Sequence, residues 1–203
     1  MRATEVTMDF PMDFQEVLDF WFLAPASDGY GKERAAWFRK DTQFDALIAQ
    51  RFGAVIAQAL AGGLQAWAAA GPQGTLARIL VLDQFTRNAA RATPASFAGD
   101  ALALADARAL VDKGLDLALL PVQRWFVYMP FEHAEDAAMQ ERSVALFAAL
   151  ARGGPAFKGA LDFAQRHRRV IERFGRFPHR NAILGRPSTP DEVAFLREPG
   201  SGF

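Results

Sequence analysis

Signals that start and stop helices recur from one end of this chain to the other, and no hairpin dipeptide flanked by alternating apolar residues occurs. Asp13 and Glu16 have capping-box spacing ahead of FQEVLDFWF, where Phe14, Val17, Leu18 and Trp21 share one face at helical spacing. Asp41 can cap a helix from Thr42 to Ala61 that is expected to bury Phe44, Leu47, Ile48, Phe52, Val55, Ile56 and Leu60 before Gly62-Gly63 stops it. Leu64 to Ala70 reads as a short helical segment, and Thr75 can cap a helix through LARILVLDQFTRN. Thr93-Pro94 opens a helix to about Lys113. Pro121 opens another that must accommodate Pro130, either as one bent helix or as two between Val122 and Arg152. A helix from about Ala156 to Phe174 ends at Gly175, and Thr189-Pro190-Asp191-Glu192 starts a short last one. The expected fold is all-α: an array of about seven to nine helices stacked as antiparallel hairpins, in a single domain over residues 1–203.

Composition narrows the function classes. A chain of 203 residues with 51% hydrophobic residues and 18 Phe can bury a large core. Its 23 basic and 23 acidic residues cancel, which argues against a protein that binds polyanions with its whole surface, so no nucleic-acid partner is expected. The lack of cysteine excludes disulfides, zinc–thiolate sites and cysteine nucleophiles. MRATEVTMDFPMDF has no apolar run of signal-peptide type, and the apolar stretch at 117–131 is broken by Pro121, Gln123, Arg124 and Pro130. A soluble cytoplasmic protein without membrane partners is expected; the oligomeric state is not set by the sequence.

Three polar stretches stand out against this background. Asp83, Gln84, Arg87 and Asn88 form a stripe two residues wide at the end of an otherwise apolar helix, either as an exposed face or as the hydrogen-bonding wall of a pocket. In PFEHAED, Glu132 and Asp136 are four apart with His133 beside them and Glu135 following. Carboxylates next to a histidine suit general acid–base work, with His133 or His179 as base and Glu132 or Asp136 as orienter. The third stretch, RHRRVIERFGRFPHRN, contains His167, Arg173, Arg176, His179, Arg180 and Asn181. Arginine forks suit carboxylate or phosphate, whether a ligand's or the protein's own, so this stretch either docks on the acidic one or holds an anion.

Other chemistries lack their residues. Neither a pair of Glu-x-x-His elements nor His-Glu-x-x-His occurs, so no metal site is expected. No Gly-x-Ser-x-Gly elbow and no phosphate-binding glycine loop is present, and no cofactor is expected.

VLDFWF at 17–22, AAWFRKDTQFD at 35–45, LVLDQFTRN at 80–88, PFEHAEDAAMQERSVALF at 130–147 and HRRVIERFGRFPHRNAILGRPSTPDEVAFL at 167–196 resemble, in order, the bacterial domain-of-unknown-function family 924. The resemblance implies a tetratricopeptide-like fold of stacked helical hairpins and brings no reaction. Where that family usually has proline, in Leu-Asp-Gln-Phe-Pro-Arg-Asn, this chain has Thr86.

The polar residues around 83–88, 132–136, 167 and 173–181 are therefore expected to converge. The leading reading is a helical module binding a small polar, anionic molecule through Arg87, Arg173, Arg176 and Arg180. A hydrolase or isomerase using a His–carboxylate pair is the second, and a tetratricopeptide-like adaptor with a protein partner the third.

Overall fold

A computed structural model of the chain describes residues 12–202. Most of the N-terminal stretch that lacks a signal-type apolar run lies outside them. Helix α1 (Phe14–Phe22) is capped by Asp13, whose side chain accepts from the Gln15 amide. Asp41 caps α2 (Thr42–Leu60) by accepting from Gln43 and Phe44. Then come α3 (Gln65–Ala69), α4 (Pro72–Ile79), a π-helical segment (Leu80–Phe85) and α5 (Thr86–Ala89), the last three forming one unbroken rod. The second half is α6 (Asp100–Asp112), α7 (Pro121–His133), α8 (Ala137–Ala151), α9 (Lys158–Phe174) and the short α10 (Pro190–Phe195). With the rod counted once, these are nine helices, and no strand occurs among the described residues.

Consecutive helices pack on one another, α6 on α7, α7 on α8 and α8 on α9, through connections short enough to reverse the chain. The core runs through nearly all of them. Trp21 and Phe85 are completely buried in an aromatic cluster with Phe20, Trp37, Phe52 and Phe126. Each such side chain contributes about 1.5–3 kcal/mol by leaving water. All four tryptophans are core residues. A second, smaller cluster of Val170, Ile171 and Phe177, with Phe174 and Phe195 against it, fixes the C-terminal segment to α9. No helix among the described residues is long and apolar enough to cross a membrane.

Several local expectations are corrected. The rod begins at Pro72, not after Thr75; Pro72 supplies its own φ, and the Thr75 hydroxyl, inside the helix, donates back to the Gly71 and Ala68 carbonyls that precede it. Thr93-Pro94 opens only a 3-10 turn, and α6 starts at Asp100. Leu47 is 45% exposed, because the buried side of α2 is carried by Ile48, Phe52, Val55, Ile56 and Ala59. The Pro130 region makes two helices, and Asp136 belongs to neither body: it is the extended N-cap of α8, accepting from the Met139 amide.

The π-helical segment ends where the Thr86 N–H donates to the Val81 carbonyl five residues back, joined there by the Thr86 hydroxyl at 2.9 Å. A ring at residue 86 meets a displaced carbonyl in this wider turn instead of the usual clash four residues back. Thr86→Pro should therefore cost only about 1 kcal/mol, against roughly 3 kcal/mol for proline inside a regular helix. Urea denaturation of the variant checks this, and a full mid-helix penalty would mean that the wide turn leaves no room.

Candidate functional site

Asp83 lies in the π-helical segment of the rod. Its carboxylate is fully buried and has three neighbours. His133, the last residue of α7, approaches with Nδ1 2.6 Å from Asp83 Oδ1. Gln84 Nε2 donates to Oδ2 at 2.6 Å, and an Arg87 guanidinium nitrogen lies 3.5 Å from Oδ1. Burial pushes the Asp83 carboxyl up, yet the His133 ring, the Arg87 charge and the Gln84 amide together hold it below the ordinary carboxylate range. An ionised Asp83 only accepts, so we assign the shared proton to His133 Nδ1, leaving Nε2 as the basic nitrogen. Burial and the Arg87 charge push the His133 imidazole below its ordinary value against the pull of Asp83. The ring keeps 12% of its side-chain surface exposed, so it reaches the outside.

A second layer lies behind His133. All three histidines of the chain meet here. The rings of His133 and His167 are 6.4 Å apart, and Phe177 stands 5.4 Å from His167 and 5.6 Å from His179. His167 donates from Nδ1 to the Phe163 carbonyl at 2.9 Å, with Glu132 Oε1 3.3 Å from the same nitrogen. Burial first, and then the Asp83 charge, pushes the Glu132 carboxyl up to about 8. Burial pushes His167 down to about 3 and His179 down to about 4. The inner layer is thus neutral at pH 7, and the charge is concentrated at Asp83 and the arginines.

Those arginines form the outer edge. Asp100, the first residue of α6, accepts from Arg87 at 2.8 Å and from Arg180 at 3.1 Å. Arg180 also donates to the His133 carbonyl at 2.9 Å. Both guanidiniums lie over the Phe97 ring, at 5.3 and 4.6 Å. Burial and the Arg87 charge lower Arg180 to about 10, so it stays protonated at neutral pH. The Nε–H groups of Arg87 and Arg180 are buried and bonded to no described protein atom.

The structure thus brings together Asp83, Gln84, Arg87, Glu132, His133, His167, His179 and Arg180. It sets apart the other residues singled out in the sequence. Asp136 is exposed at its cap, because α7 ends at His133 and the four-residue spacing no longer describes one helical face. Asn88 points to Asp45, which also accepts both bonds of Arg91. Arg173 lies on the outer side of α9 over Phe174 and Phe195. Arg176 is claimed by Glu192 at 2.7 and 2.8 Å, and Asn181 donates to that carboxylate at 3.2 Å. Glu135 takes a two-pronged bond from Arg186 at 2.6 and 2.9 Å and accepts from the Phe177 amide. The basic stretch does dock on the acidic one, through the Phe177 amide on Glu135 and Arg180 on the His133 carbonyl, and Arg186 beyond it adds the ion pair. Asp100, Phe97, Arg186 and Glu192 escaped sequence reasoning. The only signal was Arg186 just past the arginine run, since Asp100 fell inside the helix expected from Thr93 to Lys113 and Glu192 read as part of a helix start. No group of three or more His, Asp or Glu among the described residues is arranged to hold a metal ion.

Glu132 yields a pH prediction. A carboxyl near 4.5 in the unfolded chain and about 8 in the folded one keeps its proton in the fold while the unfolded chain loses it. Its stabilising contribution is present below 4.5 and is lost as pH rises through 8. The depressed histidines act the other way, losing their contribution as pH falls below 6.5. Melting temperature should therefore decline between pH 6.5 and 8 in the parent and stay flat there in Glu132→Gln.

Together, fold and site define an all-helical protein with a buried histidine–carboxylate cluster under a rim of arginines. Residues 17–200 match the family described as bacterial protein of unknown function (DUF924), and the chain belongs to that family. The solved structure of the protein of unknown function ATU0120 from Agrobacterium tumefaciens is similar to it, at 39% identity and a TM-score of 0.77, covering 91% of this chain and 96% of that one. No curated protein matches the chain.

Proposed function

We propose that the site binds a small, polar, anionic molecule and exchanges a proton with it, as a hydrolase or isomerase does. The observation that carries this reading is the 2.6 Å contact between His133 and the fully buried carboxyl of Asp83, whose neighbours hold it below the ordinary carboxylate range. Such a carboxylate fixes the ring tautomer and stabilises the imidazolium that forms when Nε2 takes a proton. A histidine whose proton affinity is lowered by burial is neutral at pH 7 and ready to act as a base. Arg87 and Arg180 fit the anion: two guanidiniums share one carboxylate, Asp100, and each retains an Nε–H with no acceptor among the described protein atoms. Glu132, held neutral, supplies an acid group behind the base. The adaptor reading fits less well, because these polar side chains point at one another and not along a groove.

A thermal-shift screen against carboxylated and phosphorylated metabolites tests this. A ligand at a hundred times its dissociation constant adds about 2.7 kcal/mol, visible as several degrees. A hit is expected in the parent and in His133→Gln, is lost in Arg87→Ala, and is turned over only by the parent. Binding without turnover reduces the proposal to its ligand-binding half. If no compound shifts the parent, the cluster is an internal strut and the adaptor reading takes its place.

A further inference from the structure

The stripe Asp162, Arg166, Arg169 and Arg173 runs along the outside of α9, and the C-terminal segment 195–200 faces it. Between them lies a cavity of about 590 Å³, lined also by Val170, Phe174, Phe195, Pro199 and Gly200. At 100° per residue, His167 projects from α9 roughly 130° away from the stripe, so this cavity is not an extension of the histidine cluster. Its size is that of a small-molecule site.

Charge and shape define the ligand. Arg166 pairs with Asp162 at 2.6 Å and Arg173 approaches Glu198 only to 4.0 Å. Both acids are about half exposed, and pairs of that kind are weak enough to exchange for a ligand. The Arg169 side chain has no hydrogen bond or ion pair with any described residue, so three guanidiniums face two carboxylates here. The Arg173 guanidinium is steadied by the Phe174 and Phe195 rings, at 4.7 and 5.7 Å. Those two rings, 5.1 Å apart, join the buried Val170 in an apolar floor. Cations at the edge and hydrocarbon beneath select a molecule with both an oxyanion and an apolar part.

We infer that this groove is a second binding site, for a small organic anion in which a carboxylate or phosphate is joined to an apolar body. Arg169 and Arg173 take the oxyanion, and Phe174, Phe195 and Val170 take the body. The probes are benzoate, phenyl phosphate and inorganic phosphate, titrated into isotopically labelled protein and followed by amide shifts. Benzoate or phenyl phosphate should bind at least tenfold more tightly than inorganic phosphate, moving amides at 195–200, and the stronger of the two assigns the oxyanion. Arg169→Ala, which removes an exposed side chain with no polar partner among the described residues, should keep the parent melting temperature and weaken binding at least tenfold. Phe195→Ala should erase the preference for the aromatic probes. The inference is overturned by no binding of either aromatic probe, by equal affinity for inorganic phosphate, by an Arg169→Ala protein that binds like the parent, or by shifts centred on His133.

Discussion

Asp83→Ala should lower stability by about 3–5 kcal/mol, the range for removing one partner from a buried charge network. The side chain is fully buried and is the common acceptor for His133, Gln84 and Arg87. Its removal leaves the Arg87 charge with Asp100 alone and strands the Nδ1–H of a largely buried imidazole. Asp83→Asn keeps the shape but brings an N–H donor into a site built of donors, and should recover less than half of the loss. Chemical denaturation of both proteins measures the effect. A change below about 1 kcal/mol in the alanine variant, the size of a surface pair, would mean that Asp83 is neutral, and the proposed polarisation of His133 would fail with it. The same variants carry a spectroscopic readout: the imidazole nitrogens of His133 should show a fixed Nδ1–H tautomer in the parent and exchange between tautomers in Asp83→Ala.

The second large effect is expected at a position with no side chain. A Cβ on Gly99 would sit 2.1 Å from the Leu82 carbonyl oxygen, a backbone atom of the rod that cannot swing aside. Gly99 has an ordinary φ of −90°, so the restriction comes from space and not from conformation. Gly99→Ala must push the start of α6 away from the rod, at a cost of about 3 kcal/mol. It should also pull Asp100 off Arg87 and Arg180, and thereby raise the affinity of the arginine rim for added anions even as stability falls. Gly159 is the control, since it lies in α9 and a Cβ there would meet nothing within 4 Å. Its alanine variant should be neutral or stabilising by up to about 1 kcal/mol. Equal stabilities for the two variants would mean that the loop before α6 is free to move.

Helix boundaries were legible because their signals are local. The caps at Asp13, Asp41 and Thr189 and the turn at Gly175 depend on residues within one turn of themselves, and they lie where the sequence puts them. The misplacements also have local causes. Thr75 and Thr93 carry cap-type side chains, but their hydroxyls donate to carbonyls already passed, at Gly71 and Ala90. The π turn left no mark, since a bond five residues back uses the same residue types as one four back.

The site divides along the same line. Its chemistry could be read: every histidine was singled out, and so were Asp83, Glu132, Arg87 and Arg180. Its geometry could not. Glu132 and Asp136 looked like the pair, on the assumption of one continuous helix. The helix ends at His133, and the carboxylate that meets this histidine comes from fifty residues away. Arg173 and Arg176 looked equivalent to Arg180 in the arginine run, yet Glu192 takes Arg176 and only Arg180 reaches the cluster.

By itself, then, the sequence determined the helices, the family, the apolar core and the stock of groups available for chemistry, because caps, periodicity and side-chain type act over a turn or less. Tertiary structure alone decided which acid faces which base. Burial and Coulomb forces depend on distances through space, and three packed helices, α6, α7 and α9, together with one widened turn, set those distances here.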